Sequence, residues 1–286
     1  MGNIVRYAQQ TVAQCKAYGK AMKMQQDPIV KSEAFPSYFD FCVIDGTPYL
    51  QQSYALRYEV YCNEQHFLAP EDYPSGLEID AFDNDAIHIG AINREGVLVG
   101  TVRLVLPTAN RFPLFEHCQF FSEHSTLADS TNPIQLCAAE ISRLAVSKSY
   151  RRRANDGMYG LAETEDKIAP QEKDDKATHR RHRPELVLGL YRAMYRHSKR
   201  QGITHWFAAM EKTLLRLLHR YQFGFEPIGP EIDYYGPVTP YLAEIAKMEK
   251  GIRQRYPELY AEFVQGLAPE FLAIYQKISG SHSSSP

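Results

Sequence analysis

Tryptophan is nearly missing from this chain of 286 residues: Trp206 stands alone beside 19 tyrosines and 14 phenylalanines. Cysteine is sparse, with five residues at 15, 42, 62, 118 and 137 and no CxxC spacing. An odd, scattered set argues against a disulfide framework or a structural zinc and for a reducing compartment. Neither sign of charge is in excess: 32 Lys+Arg face 34 Asp+Glu, which argues against a nucleic-acid partner. No apolar run approaches the ~20 residues of a membrane span, and none resembles a secretory core. A myristoylation signal would need Ser or Thr where Arg6 stands. The ten histidines show no HExxH or similar metal spacing. These absences predict a cytoplasmic protein without metal, bound cofactor or stable membrane insertion. The length suffices for one large domain or two small ones.

What is present has the rhythm of an α+β protein. The spacing predicts a helix over 4–25, a strand over 39–44, and a helix from Pro48 to about Glu64, capped by Thr47. Glu78 to Asp83 is too acidic for a core and reads as a loop approaching a strand. Ile87–Ile92 and Val97–Leu106 form a hairpin around Arg94-Glu95-Gly96. Residues 110–132 are irregular with a short helix. The dense charge of 154–183 reads as a surface insertion. A helix opening at Pro184 and stopped by Gly202, a strand over 204–210, a helix over 211–221 and a strand over 223–228 follow. Helices over 239–254 and 257–276 precede a Ser-rich tail. The expected organisation is an N-terminal extension over 1–38, a main domain over 39–238, C-terminal helices over 239–276 and a disordered tail over 277–286. Strand, helix, strand in the second half predicts a βαβ unit within a mixed sheet.

The stretch that organises the rest is Ala138–Val146. Alternation at its start places Glu140, Ser142 and Leu144 on one face of a strand. It then runs into Lys148 to Arg153, a basic turn suited to an anionic ligand.

Several motifs fall in a telling order: Arg57, Phe67 ten positions on, Gly76-Leu77-Glu78-Ile79-Asp80-Ala81-Phe82-Asp83, Gly100-Thr101-Val102-Arg103-Leu104, Glu140-Ile141-Ser142-Arg143 and Gly229-Pro230. In this order, over roughly residues 50–245, the sequence resembles the acyl-homoserine-lactone (autoinducer) synthases, which have the fold of the GCN5-related N-acetyltransferases (GNATs). It resembles more closely the acyltransferases associated with PEP-CTERM/exosortase systems, related to N-acyl amino acid synthases; Leu56-Arg57-Tyr58-Glu59-Val60-Tyr61-Cys62 and the polar insertion carry that likeness. The resemblance implies a twisted sheet, antiparallel then parallel, flanked by helices. It also implies transfer of a fatty acyl group from an acyl carrier protein or coenzyme A thioester to the amine of a small molecule such as an amino acid. Phe67 stands where autoinducer synthases carry tryptophan in their S-adenosylmethionine pocket, and Tyr61 where they carry phenylalanine.

Each residue of the resemblance carries two readings. Glu140 is either the base that takes the amine's proton or a scaffold partner for an arginine; burial would raise its pKa and Arg143 would lower it. Arg57, Glu78, Asp80, Asp83, Arg103 and Arg143 either touch substrate or hold the site together. With Glu140 they sum to a net negative cluster that would draw in a cationic amine. Ser142 and Phe67 complete the implied substrate site. Leu144 and Val146, followed by Arg151, Arg152 and Arg153, occupy the place where the wider fold binds the acyl thioester. The arginine run replaces the acetyltransferase glycine loop and suits an acidic carrier protein; Arg180, Arg181 and Arg183 would extend it. Tyr221 resembles the tyrosine that protonates the departing thiol. Trp206 and Phe207 either line an acyl tunnel or fill a core. Cys62 and Cys137 are either acyl-cysteine sites or buried thiols. The competing functions are an autoinducer synthase using S-adenosylmethionine, a non-catalytic module binding acyl chains or a carrier protein, and an acetyltransferase acting on protein lysine.

Overall fold

Period-two alternation over 86–105 builds the middle of the sheet. A computed structural model of the chain describes residues 38–107, 111–129, 131–150 and 185–273. Strands β2 (Ala86–Asn93) and β3 (Leu98–Val105) pair antiparallel. Gly96 takes φ +76°, and the Asn93 side chain accepts from the Glu95 and Val97 N–H groups to close the turn. Strand β1 (Phe39–Val43) adds outside β2, and β4 (Ala138–Val146) pairs antiparallel with β3.

Helix α1 (Pro48–Tyr58) starts as its sequence dictates: Thr47 Oγ1 accepts the Tyr49 N–H and Pro48 fills the first turn. A π-helical turn, Glu59–Glu64, carries it to the expected end. Two single turns, α2 (Leu114–His117) and α3 (Pro133–Leu136), lie between β3 and β4. Helix α4 (Glu185–Gln201) then crosses over to β5 (His205–Met210), which lies parallel to β4. This is the expected βαβ unit. Gly189 lets α4 sit on β1, because a Cβ there would come within 2.1 Å of the Phe41 ring. Helix α5 (Lys212–Arg220) follows, with short strands β6 (Glu226–Pro227) and β7 (Ile232–Asp233). Strand β8 (Pro237–Glu244) and helices α6 (Ile245–Arg255), α7 (Pro257–Val264) and α8 (Pro269–Ala273) end the described chain. The sheet order is β1-β2-β3-β4-β5-β8-β6, with β7 also on β8.

The C-terminal part corrects three expectations. Residues 237–244 are an inner strand on β5, so no helix starts at 239. Pro240 would remove a hydrogen bond from a helix interior, whereas the alternating run up to Ala243 seats Tyr241 and Ala243 in the core. The strand over 223–228 shrinks to Glu226–Pro227, and the last helix breaks between Val264 and Pro269, where Gly266 takes φ +78°. The expected helix over 4–25, the insertion over 154–183 and the tail over 277–286 lie outside the described residues. Among the described residues no helix is long and apolar enough to cross a membrane.

The two sheet faces differ in kind. Under α4 lies the main apolar core, including Ile89, Ala91, Leu144, Val146, Tyr191, Met194 and Trp206. Under α1 lie buried charges. A smaller aromatic cluster, Phe112, Phe115 and Phe207, packs beneath the start of β4.

Candidate active site

Simple alternation fails in the middle of β4. Pairing with β3 slips between Arg103↔Ser142 and Thr101↔Ala145, and Arg143 takes φ +52°. The extra residue is a β-bulge. It leaves Leu144 in the core under α4 and turns Arg143 toward the α1 side. The expectation that Leu144 shares a face with Glu140 is thereby corrected.

On that side a lattice of paired charges stands behind Arg143. Glu78 accepts from Arg57 Nε through one oxygen and from Arg143 Nε at 3.0 Å through the other. Asp80 accepts from Arg103 Nη1 at 2.5 Å and Arg143 Nη2 at 3.0 Å. Asp83 receives Arg57 Nη1 at 2.7 Å, Arg103 Nη1 at 3.0 Å and His88 Nε2 at 2.9 Å on one oxygen. Its other oxygen takes Arg57 Nη2 and the Asp80 N–H. The spacing Asp80…Asp83 also forms a reciprocal capping box on the 3₁₀ turn Ala81–Asp85, which aims both carboxylates. Glu78 is fully buried, so the expectation that this stretch is too acidic for a core holds for its loop backbone and fails for its side chain.

Burial alone would raise the carboxyls of Asp80 and Asp83. Arg103 and Arg143 hold Asp80 below its ordinary value, and His88, Arg57 and Arg103 hold Asp83 far below. Burial likewise works against charge on Arg143, and Glu78 and Asp80 more than offset it.

Glu140 has a different setting. Its Oε2 accepts the Leu114 N–H at 2.9 Å, and no arginine bonds to it. Burial dominates: the carboxyl is pushed up to about 8 against the pull of the Leu114 N–H, Arg103 and Arg143. At neutral pH roughly a tenth of it is ionised. Glu140 therefore adds little to the negative charge expected of the cluster.

Glu140, Ser142 and Arg143 line a cavity of about 70 Å³. It opens where the parallel strands part, since pairing ends at Ile141↔Ala208 while both strands continue. Ala209 and Glu211 form the opposite wall, Tyr61 and Phe67 one side, and Tyr234-Tyr235-Gly236 the cover. The Arg143 guanidinium lies 4.8 Å above the Tyr235 ring and 5.8 Å from that of Tyr61. Tyr234 stacks on His117 at 4.3 Å. Burial keeps the Tyr61 hydroxyl protonated, pushing it up to about 12, and Tyr61 donates to the Leu144 carbonyl at 3.1 Å.

Of the residues singled out in the sequence, Glu140, Ser142, Arg143 and Phe67 meet at this cavity, with Arg57, Glu78, Asp80, Asp83 and Arg103 directly behind it. Leu144 and Val146 are core residues under α4. Tyr221 ends α5 and packs on Tyr256 at 5.5 Å, outside the cavity lining. Trp206 is core, its Nε1 bonded to Ser198, and Phe207 belongs to the aromatic cluster. Neither Cys62 nor Cys137 lines the cavity, and burial raises the Cys62 thiol. Arg151, Arg152, Arg153, Arg180, Arg181 and Arg183 lie outside the described residues.

Reading by motif missed the Leu114 N–H, the Tyr234-Tyr235-Gly236 cover, Glu211 and His88. Two tyrosines before a glycine were a visible signal. So was a histidine alone in the apolar run Ala86-Ile87-His88-Ile89.

Residues 56–159 match the family described as acetyltransferase (GNAT) domain. The matched span is well short of half of the 286 residues. That match agrees with the N-acyltransferase character the motifs suggested, and the mixed α+β fold is the one expected. Among solved structures, the acyl-homoserine-lactone synthase LasI is similar at 15% identity, over 77% of this chain and 96% of that one, with a TM-score of 0.50. FeeM, an N-acyl amino acid synthase from uncultured soil microbes, is similar at 12% identity, over 74% and 94%, with a TM-score of 0.49. The CoA-dependent acyl-homoserine lactone synthase BjaI is similar at 19% identity, over 73% and 81%, with a TM-score of 0.45. At 15% identity the likeness to LasI is one of fold. No curated protein matches the sequence.

Proposed function

We propose that the GNAT domain transfers a fatty acyl group from a carrier-protein or coenzyme A thioester to the amine of an amino acid or similar small molecule. The observation that carries this reading is Glu140: a carboxyl pushed up to about 8, pinned by the Leu114 N–H, on the wall of a cavity where β4 and β5 part. A base of that strength takes a proton from an ammonium group far better than an ordinary carboxylate does. The freed amine attacks the thioester carbon, the C–N bond forms, and the C–S bond breaks. The second proton of the nitrogen leaves with the thiolate, so acyl thioester and ammonium give amide, thiol and one proton. Beyond Ile141 the edge of β4 facing β5 has no strand partner and offers backbone N–H groups to the carbonyl oxygen. A cavity of about 70 Å³ is small beside the several hundred Å³ of a drug-sized site and suits the head group of an acceptor. Arg143 on its wall suits a carboxylate of that acceptor.

The carrier remains a choice between an acidic carrier protein and coenzyme A, and docking of the former would fall to Arg151, Arg152 and Arg153. The link to PEP-CTERM/exosortase systems rests on motif resemblance. The test is thiol release from a long-chain acyl carrier protein or acyl-CoA, with pooled amino acids or S-adenosylmethionine as separate acceptors and mass spectrometry of the product. An N-acyl amino acid made by the wild type and lost in a folded Glu140→Gln variant is the expected result. A lactone product would shift the assignment to an autoinducer synthase, and no release would leave a binding module.

A further inference from the structure

His88 and its partner Asp45 belong to the charged lattice although no motif explains them. His88 sits on β2 opposite Arg103, 1% exposed, with its ring edge-on to Tyr54 of α1 at 5.6 Å. Both ring nitrogens face carboxylates: Nδ1 lies 2.8 Å from Asp45 Oδ1, and Nε2 lies 2.9 Å from Asp83 Oδ1. The second Asp45 oxygen accepts the His88 backbone N–H at 2.9 Å. An ionised carboxylate only accepts hydrogen bonds, so a nitrogen facing one can bond only by carrying a proton. Two such contacts require both nitrogens to be protonated.

The charges agree. Arg57, Arg103 and Arg143 are three cations against Asp45, Glu78, Asp80 and Asp83, and an imidazolium makes the lattice four against four.

We propose that His88 is a positioning residue of the acyl-transfer site: locked as an imidazolium between Asp45 and Asp83, it fixes Asp83 on Arg57 and Arg103 and through them sets Arg143 on the cavity wall. The catalytic part of this inference rests on the function proposed above; the protonation state does not.

A pH dependence follows from the same contacts. The groups facing His88 are Asp45 from the turn after β1, Asp83 from the 3₁₀ turn, Tyr54 from α1 and Arg103 from β3, with Arg57 behind Asp83. Burial works against the charged ring, and the two carboxylates outweigh it, so the pKa is raised above the ordinary value. The contribution of the ring to stability is complete below about 6.5 and is lost as pH rises through its raised value. Once neutral, one nitrogen would turn a lone pair toward a carboxylate, Asp83 would loosen, and Arg143 would lose its fixed support. Activity is thus expected to climb as Glu140 ionises and to fall as His88 deprotonates.

Nitrogen-15 NMR of the histidine-labelled full chain tests the protonation state without any assay of turnover. One ring, assigned by its loss in His88→Asn, should show two protonated nitrogens at pH 7 and titrate above the ordinary histidine range. A ring with one bare nitrogen at pH 7 overturns the proposal. In turnover, folded His88→Asn should lose at least tenfold in kcat, keep KM for the thioester within about twofold, and lose the alkaline limb. Wild-type kcat and pH profile in that variant overturn the positioning role. Should His88→Asn not fold, Asp45→Asn replaces it: the His88 midpoint and the alkaline limb should move together to lower pH, and a limb that stays in place overturns the role. Absence of acyl transfer by the wild type would sink the proposed function while leaving the NMR result to stand or fall alone.

Discussion

The same strands present opposite chemistry on their two faces. Toward α4, β2 and β4 contribute Ile89, Ala91, Leu144 and Val146 to a dry core. Toward α1, β2, β3 and β4 contribute His88, Arg103, Ser142 and Arg143 to a buried charged lattice. The apolar face is favoured by area removed from water and tolerates change by partial collapse. The charged face is held by paired charges, and removing one member strands the others. Stability is built on one side, and the other spends part of it to hold a guanidinium and a protonatable carboxyl in fixed places.

The largest contrast is expected from Glu140→Gln. Thiol release should fall about 10²–10⁴-fold, the usual weight of a general base, while the melting temperature holds or rises. The sign is set by linkage. Glu140 binds its proton more tightly when folded, so its contribution to stability is complete below about 4.5 and is lost as pH rises through about 8. The stability gained by the variant should therefore grow from pH 5 to pH 8 in thermal melts; a gap independent of pH would refute a buried neutral carboxyl.

Arg57→Ala should next lower stability by about 3–5 kcal/mol, because Glu78 and Asp83 would stay buried without it. Urea titrations should show that loss shrinking below about pH 4, where carboxylates begin to take up protons. Leu144→Ala, on the other face, should cost about 2–5 kcal/mol with no such pH dependence. Equal pH behaviour in the two variants would erase the distinction between the faces. The smallest effect is expected at the cavity cover. Gly236 takes φ +92°, and a Cβ there would stand 2.9 Å from Phe67 Cζ. Gly236→Ala should raise KM for the amine acceptor a few-fold with kcat nearly unchanged, which steady-state kinetics with varied acceptor would read.

Acid unfolding completes the comparison. Asp80 and Asp83 hold their protons less tightly when folded. Their stabilisation is present above about 3.9 and disappears as pH falls through their lowered values.

Much of this was legible in the sequence because it depends on local rules. Thr47-Pro48 fixed a helix start, and the Arg94-Glu95-Gly96 turn fixed the hairpin. The motif series from Arg57 to Arg143 named Phe67, Glu140, Ser142 and Arg143 on the cavity and the arginines and carboxylates behind it, but not the opposite wall or the cover. Tertiary structure decided the rest, because bulges and close approaches depend on what lies across the sheet. One extra residue at Arg143 reversed the face of Leu144 and put a guanidinium beside Glu140. Pairing with β5 made a strand of 237–244, where local pattern suggested a helix. Enclosure without a paired arginine settled the protonation of Glu140, against the pull of an N–H from Leu114 at the start of α2, 26 residues away. The sequence determined which charges would be available; only the packed sheet determined which are neutralised, because burial acts on a group through neighbours distant along the chain.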